Sequence, residues 1–154
     1  LRDSISTNPK FFPDFGPKRL GSSGATAIGA RTPLVAFNVN LTTNDVLIAQ
    51  NISRTIRQSS GGLEGVKSIG IMVDGIAQVS INITDYTKTP IVEVVDTIRR
   101  EATNSGVKIY HSEIVGLIPK DALDNVERWY LPKSLDLSKY ILEQRIAELL
   151  QPTF

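Results

Sequence analysis

The sequence predicts an α+β fold in which strands and helices follow the order βαββαβ, with an antiparallel sheet. Three observations predict it. Apolar and polar residues alternate in four segments, two other segments repeat apolar residues at helical spacing, and the pair Asp74-Gly75 favours a tight hairpin between two of the strands. With 154 residues, 41% hydrophobic and 21% charged, the chain is long enough for one domain with its own core.

The first strand and the first helix are predicted from the different spacing of their apolar residues. In Pro33–Leu41 every second residue is apolar, which is typical of a half-buried strand. In Asn44–Ser59 the isoleucines Ile48, Ile52 and Ile56 follow at steps of four, and the preceding TTND supplies a helix cap. We therefore expect a strand followed by an amphipathic helix.

The same pattern recurs in the next part of the chain. Val66–Asp74 and Ile76–Thr84 are predicted to be the two strands of the hairpin. Thr89-Pro90 predicts a cap with proline in the first turn, and the helical spacing continues until Gly106. Val107–Val115 is the fourth predicted strand.

The remaining residues predict C-terminal helices at about Pro119–Leu131 and Ser138–Leu150, with Trp129 and Tyr130 packing the first of them onto the core. The order before them is the split βαβ pattern of the ferredoxin-like sandwich. In that arrangement the first and third strands are the central pair, and both helices cover the same face of the sheet.

The other face of the central strands is predicted to be polar and uncharged. One set of side chains on the first and third strands is apolar, and the other consists mainly of amides and hydroxyls. Such a set can be a solvated face of an antiparallel sheet, or it can line a ligand site or pack on another layer. The polar candidates for lining a site are Asn38, Asn40, Gln78, Ser80 and Asn82.

A glycine-rich segment with basic residues, Phe11–Arg31, precedes the first strand. A dinucleotide fingerprint follows a strand and opens a helix, and a Walker loop needs Gly-Lys-Ser/Thr, so neither applies. Its glycines permit close backbone approach, while Lys18, Arg19 and Arg31 supply donors for a carboxylate or phosphate. From the residues alone, this segment can be interpreted either as a flexible arm or as an anion-binding loop.

Composition excludes several classes of function. There is no cysteine and one histidine, so we expect no metal site, and a net charge of +1 predicts no nucleic acid partner. No apolar run approaches the length of a membrane span, so no membrane partner is expected. The lone His111 is more typical of a structural residue than a catalytic one, although Glu113 shares its face and could pair with it. RNA binding would require exposed aromatic residues on the central strands.

Six ordered motifs resemble the C-terminal subdomain of glutamate formiminotransferase. The similarity runs from about Phe11 to Pro119 and more loosely to Phe154. The motifs are PDFGP (13–17), GATAIGAR (24–31), LVAFNVNL (34–41), IRQSSGGLEGVKSIG (56–70), AQVSINITDYTKTP (77–90) and SEIVGLIP (112–119).

The resemblance implies transfer of a formimino group from N-formimino-L-glutamate to tetrahydrofolate in histidine degradation, with tetrahydrofolate as co-substrate. It implies a folate-contacting loop within residues 1–32, a ferredoxin-like subdomain at 33–154, a cytoplasmic location and a homo-oligomer. The implied folate-binding residues are Gly16, Pro17, Lys18, Arg19, Leu20, Gly21, Ser22, Ser23, Gly24 and Thr55.

The resemblance also implies a partner. The family's catalytic histidine belongs to an N-terminal subdomain that lies outside this chain, and the position of His111 is commonly glycine in the family, so no catalytic residue is expected here. The start at Leu1 suggests a processed product or a piece of a longer polypeptide. The alternative from a different class is a non-catalytic ligand-binding or assembly module with the same fold.

Overall fold

The computed structural model describes residues 3–150, which fall into two compact units that divide between Arg31 and Thr32. The second unit begins its regular structure at the first strand. The helices and strands are α1 (Ser4–Thr7), β1 (Val35–Leu41), α2 (Val46–Ile56), β2 (Val66–Val73), β3 (Ile76–Ile83), α3 (Ile91–Asn104), β4 (Ile109–Val115) and α4 (Leu142–Leu149).

The N-terminal unit has little regular structure beyond α1. A single 3-10 turn, Pro9–Phe11, follows it, with the Asn8 side chain accepting a hydrogen bond from the Lys10 backbone. The Lys18 ammonium lies over the ring of Phe12, 4.2 Å from its centroid. Gly21 and Gly24 form an isolated bridge.

The four strands of the second unit form one antiparallel sheet in the order β2-β3-β1-β4. The predicted ferredoxin-like sandwich is confirmed, with β1 and β3 as its central pair. The hairpin between β2 and β3 turns at Asp74 and Gly75, whose φ angles are +49° and +78°. Positive φ at both positions is what a type I′ turn requires, and the turn sets Val73 opposite Ile76.

The core lies between the sheet and the pair α2 and α3. On β1 the side chains of Val35, Phe37 and Val39 are fully buried. The helices contribute apolar stripes at three- and four-residue spacing, which is why a helix packs one side onto a sheet. The buried helix residues are Ala49, Ile52, Ser53 and Ile56 on α2 and Ile91, Val94, Val95, Ile98 and Ala102 on α3.

The two long helices begin differently. Asp45 caps α2 as its motif predicts, because its side chain accepts a hydrogen bond from the Leu47 backbone at 2.9 Å. The cap predicted at Thr89 is wrong. The Thr89 hydroxyl instead donates to the backbone carbonyl of Glu64 at 2.7 Å, and Pro90 precedes α3 without a side-chain cap.

The helix predicted over Pro119–Leu131 is also wrong. The segment contains two 3-10 turns, Lys120–Ala122 and Val126–Arg128. The backbone leaves the helical region at Asn125 and Tyr130, which have φ angles of +49° and +59°. Ser112 of β4 binds this segment twice, with its hydroxyl donating to the Trp129 carbonyl and its backbone N–H donating to the Tyr130 carbonyl.

Those hydrogen bonds hold Trp129 in the core instead of on a helix. Its indole is fully buried and packs edge-on against Phe37, with ring centroids 5.7 Å apart, while the indole N–H donates to the Asp124 carbonyl at 3.0 Å. Tyr130 is 39% exposed, so the expectation that it packs onto the core is wrong.

The last predicted helix is interrupted at its first turn. Residues Leu137–Tyr140 form a 3-10 turn and only Leu142–Leu149 is α-helical. Ile141 between them is extended and buried, and the adjacent backbone groups exchange hydrogen bonds with Ile118. Pairing with Ile118 therefore takes precedence over a continuous helix.

Candidate functional site

Polar side chains from the three strands β3, β1 and β4 meet on the face of the sheet opposite the two long helices, which we call the open face. Antiparallel pairing sets Ser80 and Asn38 opposite one another, and Gln78 opposite Asn40. The neighbouring strand adds Glu113 opposite Asn38 and His111 opposite Asn40. The register therefore places two rows of polar side chains side by side across the three strands.

Four hydrogen bonds connect these rows into one polar network. The Oε1 atom of Glu113 accepts from Asn38 Nδ2 at 3.0 Å and from Gln78 Nε2 at 3.1 Å. Gln78 Nε2 also donates to Asn40 Oδ1 at 3.0 Å. The ring of His111 completes the network, with its Nε2 atom 3.1 Å from Asn40 Nδ2. Gln78 and Asn40 are nearly buried, at 3% and 5% exposure, and their hydrogen bonds offset the cost of that burial.

The network fixes the orientation of its amides. Because Asn40 Oδ1 accepts from Gln78, its amide nitrogen is the atom that faces His111. That nitrogen can only donate, so the Nε2 atom of His111 accepts and the ring proton lies on Nδ1. His111 and Glu113 share a face as predicted, but they are connected through Asn40 and Gln78 instead of pairing directly.

The polar network presents hydrogen-bond acceptors at its surface. The amide nitrogens of Asn38 and Gln78 both donate to Glu113, within the network itself. Within residues 3–150, no hydrogen bond occupies the Oε2 atom of Glu113 or the Oδ1 atom of Asn38, and neither side chain is buried. A ligand with N–H groups is the chemical match for such a surface.

The β2 side of the open face has a different character. Lys67 lies opposite Asn82, and Ile69 lies opposite Ser80. A cavity of about 570 Å³ runs along this edge and includes Ser80 and Asn82 in its wall. Two of the predicted site-lining residues, Ser80 and Asn82, thus line this cavity, whereas Asn38, Asn40 and Gln78 belong to the polar network.

The predicted folate loop, residues 16–24, lies in the N-terminal unit and is mostly exposed. Gly16 and Gly24 have φ angles of +87° and +74°, which favour glycine. Leu20, Gly21, Ser22 and Gly24 line a cavity of about 420 Å³ together with Asp3. The loop is therefore folded on itself around the Gly21–Gly24 bridge.

The two remaining candidates are Thr55 and Arg31. Thr55 is exposed on α2, and its hydroxyl donates to the Asn51 carbonyl at 3.2 Å. Arg31 is the exposed last residue of the N-terminal unit.

The sequence interpretation did not identify the role of Glu113 at the centre of the polar network. It also missed the basic residues at the β2 edge of the sheet. Glu113 holds two amides at once, which follows from the position of β4 beside β1 and has no local signature. The signal that could have identified the β2 cavity is the pair Arg57 and Lys67, which flank the glycine turn in IRQSSGGLEGVK.

Among residues 3–150, no three His, Asp or Glu side chains lie close enough together to hold a metal ion. None of the helices in that range combines the length and the apolar character that crossing a membrane requires.

Comparison with known proteins gives consistent matches. A family model described as "Formiminotransferase domain" matches residues 36–151. Glutamate formimidoyltransferase of Thermoplasma acidophilum is 45% identical over 150 residues, which cover 96% of this chain and 49% of that protein. The Streptococcus pyogenes serotype M1 protein of the same name is 43% identical over 138 residues, covering 87% of this chain and 46% of its own length.

A longer relative matches over a smaller share of its length. Formimidoyltransferase-cyclodeaminase of Gallus gallus is 35% identical over 145 residues, covering 88% of this chain and 26% of that protein. The chain thus spans about half the length of the two microbial relatives and about a quarter of the bifunctional one. Since the family model covers most of the sandwich unit with the strands and helices described above, the chain belongs to the formiminotransferase family.

Proposed function

We propose that this chain is the folate-binding half of a glutamate formimidoyltransferase, which moves the formimino group of N-formimino-L-glutamate to tetrahydrofolate during histidine degradation. Its partner in this proposal is an N-terminal subdomain that carries the catalytic histidine. Membership of the family supports the activity, and the half-length coverage of the microbial relatives supports the need for a second subdomain.

The observation that carries the proposal is the polar network on the open face. Its free acceptors are a carboxylate oxygen of Glu113 and an amide oxygen of Asn38. The formimino group is an amidine with N–H donors, and the pterin ring of a folate also presents N–H groups. Either donor is chemically complementary to this surface, and hydrogen bonds to a carboxylate are among the stronger kind.

The proposed reaction forms one bond and breaks another at the amidine carbon. N5 of tetrahydrofolate attacks that carbon and loses its proton to solvent or a base. The bond from the carbon to the glutamate nitrogen then breaks while a general acid protonates the leaving nitrogen. His111 contacts the Asn40 amide through its Nε2 atom, and its position is commonly glycine in the family, so the proposal does not assign it that role. The proton donor in this proposal is therefore the histidine of the N-terminal subdomain.

The loop at residues 16–24 is proposed as the folate contact outside the sheet, with Thr55 as a further contact. Both substrates carry carboxylates, and Lys18, Arg19 and Arg31 supply matching donors. The positive φ angles of Gly16 and Gly24 support a backbone that a ligand can approach closely. A homo-oligomer and a cytoplasmic location stay predictions from the family.

A chimera tests the proposal directly. The N-terminal half of the Thermoplasma acidophilum relative is joined ahead of this chain, and tetrahydrofolate binding and formimino transfer are measured. We expect Glu113→Gln to weaken folate or formiminoglutamate binding about tenfold, because a hydrogen bond to a charged acceptor contributes about 1.5–3 kcal/mol.

Glu93→Gln is the matched control, since Glu93 is exposed in the first turn of α3 and remote from the open face. Equal binding by the two variants would contradict the placement of the site. A chimera that binds no folate and transfers no formimino group would contradict the function itself, and one that binds folate without transfer would favour the non-catalytic module.

A further inference from the structure

The β2 edge of the sheet carries a cavity whose chemistry differs from that of the polar network. Its volume is about 570 Å³, within the range of small-ligand pockets. β2 and β4 are separated by two strands, so about 14 Å lies between them at the usual strand spacing. The Glu113 end of the network is therefore well separated from β2. Cavity and network adjoin on β3, which carries Ser80 and Asn82 of the cavity and Gln78 of the network, but they share no residue.

Two cations and several neutral donors line this cavity. The cations are Arg57 and Lys67, and the neutral donors include the hydroxyl of Ser80 and the amide of Asn82. The Thr84 hydroxyl also lines the cavity, but its proton is donated to the Gly65 carbonyl. None of its described lining residues is Asp or Glu. Neither cation forms an ion pair within residues 3–150. Because the net charge of the chain is only +1, the positive potential here is local.

Arg57 is held in place by the turn that follows α2. Its backbone N–H donates to Ser53, and its carbonyl accepts from the N–H groups of Ser60 and Gly62, each at 3.1 Å. The turn is tight at Gly62, where an added Cβ would lie 2.4 Å from the Thr55 carbonyl oxygen.

The side chain of Arg57 is oriented as well. Its Nε atom donates to Ser60 Oγ at 2.7 Å, which fixes the plane of the guanidinium. No hydrogen bond within the described chain occupies its two Nη groups. An arginine anchored through Nε presents a preorganised pair of donors, which matches the geometry of a carboxylate or phosphate.

Lys67 lines the same cavity from strand β2. Its strand neighbours Val66 and Ser68 are buried on the helix side, so alternation places Lys67 on the open face, where it is exposed. Ser68 also lines the cavity, and its hydroxyl is buried without a hydrogen-bond partner among residues 3–150. An unpaired buried hydroxyl costs stability, and this one keeps its full capacity for a hydrogen bond at the cavity wall.

We propose that this cavity binds the oxyanion group of a small ligand, a carboxylate or a phosphate, between the Arg57 guanidinium and the Lys67 ammonium. Arg57 supplies the forked donors, Lys67 supplies the second charge, and the amide of Asn82 and the hydroxyl of Ser80 complete the donor set. This inference depends on shape and charge at the β2 edge and requires no folate or transfer chemistry.

The test uses this chain with two simple probes, inorganic phosphate and glutarate, at an ionic strength held constant with sodium chloride. Backbone amide chemical shifts report binding residue by residue. We expect saturable shifts at Arg57, Lys67 and Ser68, and about tenfold weaker binding in Lys67→Gln and in Arg57→Lys, which keeps the charge and removes the fork.

Lys133→Gln is the matched control, because Lys133 is an exposed cation outside the cavity and its loss changes the net charge equally. Saturation by phosphate alone or by glutarate alone supports the site and identifies the oxyanion. Absence of saturable shifts with both probes, or equal weakening in Lys133→Gln, would overturn it. Neither probe contains a pterin or an amidine, so this result and the folate result can fail independently.

Discussion

The two faces of the sheet carry side chains of opposite chemistry on the same strands. On β1, the side chains of Val35, Phe37 and Val39 point towards the helices and have no exposed surface. The intervening Asn38 and Asn40 point to the open face and are joined by hydrogen bonds to other strands. One strand therefore supplies both the core and the candidate site, and its alternation separates them.

Burial stabilises the two faces of the sheet to different extents. The covered face gains from removing apolar surface from water, about 25 cal/mol per Å². The open face also buries Gln78 and Asn40 almost completely, but it gains little from doing so, because hydrogen bonds only replace those that water would make. We therefore expect stability to depend on the covered face and ligand binding to depend on the open face.

The largest expected effect is a difference in stability between substitutions at two adjacent residues of β1. Phe37→Ala removes a fully buried ring that packs against Trp129, and we expect a loss of about 3–5 kcal/mol in the free energy of unfolding. Asn38→Ala removes one hydrogen bond to Glu113 and should cost about 1 kcal/mol. Urea unfolding of both variants measures the difference, and similar losses would refute the division between the faces.

A smaller effect is expected at the edge of the covered face. Gly70 of β2 lies so close to α2 that an added Cβ would be 2.2 Å from the Gln50 backbone nitrogen and 2.3 Å from the Ala49 carbonyl carbon. Backbone atoms cannot yield as a side chain can, so Gly70→Ala should destabilise the fold by about 3 kcal/mol in thermal or urea unfolding.

Gly29→Ala provides the control for that substitution. Gly29 has no atoms within 4 Å of an added Cβ and an ordinary φ angle, so its replacement should leave the unfolding midpoint almost unchanged. If Gly70→Ala is equally harmless, the close packing of α2 on β2 is not required for stability.

The smallest effect concerns pH. None of the buried side chains within residues 3–150 is ionisable, so the dependence of stability on pH arises at the periphery. The hydroxyl of Thr87 donates to Asp85 at 2.6 Å and holds the pKa of that carboxyl below its usual value. A lowered pKa in the folded state stabilises the fold above the unfolded value of about 3.8, and this contribution is lost as the pH falls through the folded pKa.

Thr87→Val keeps the shape and removes that donor. We expect urea midpoints of the variant to decline less between about pH 5 and pH 2 than those of the unchanged chain, with the difference concentrated below about pH 4. Ser138→Ala removes the corresponding donor to Asp136, whose pKa is also lowered, and serves as a parallel case. If the urea midpoints of both variants and of the unchanged chain fall identically at acid pH, the hydroxyl hydrogen bonds are not the cause of the lowered pKa values.

Local patterns predicted the elements whose signals are themselves local. Asp74-Gly75 predicted the hairpin because positive φ at two consecutive positions favours those residues, and the two-residue turn then fixed the register of β2 against β3. The TTND motif predicted a cap at the start of α2, and Asp45 of that motif supplies it. The polar set on β1 and β3 was predicted from alternation alone, and pairing brought it together as expected.

Other features depended on partners distant in the chain. Thr89 has the form of a helix cap, but the Glu64 carbonyl lies within reach of its hydroxyl and takes the hydrogen bond. The segment after β4 has helical spacing, but Ser112 binds the backbone at Trp129 and Tyr130 and holds it open. In each case a distant hydrogen-bond partner outweighed a local propensity, which is weak by comparison.

The sequence by itself determined the order of elements, the alternation of the strands and the residues available for a site, because backbone sterics and side-chain periodicity act over a few residues. The tertiary structure decided the register of β4 against β1, which gives Glu113 its two amides and His111 its partner. It also decided that Arg57 and Lys67 line one cavity. Such neighbours are set by the closure of the whole sheet, a long-range event that no short stretch of sequence encodes.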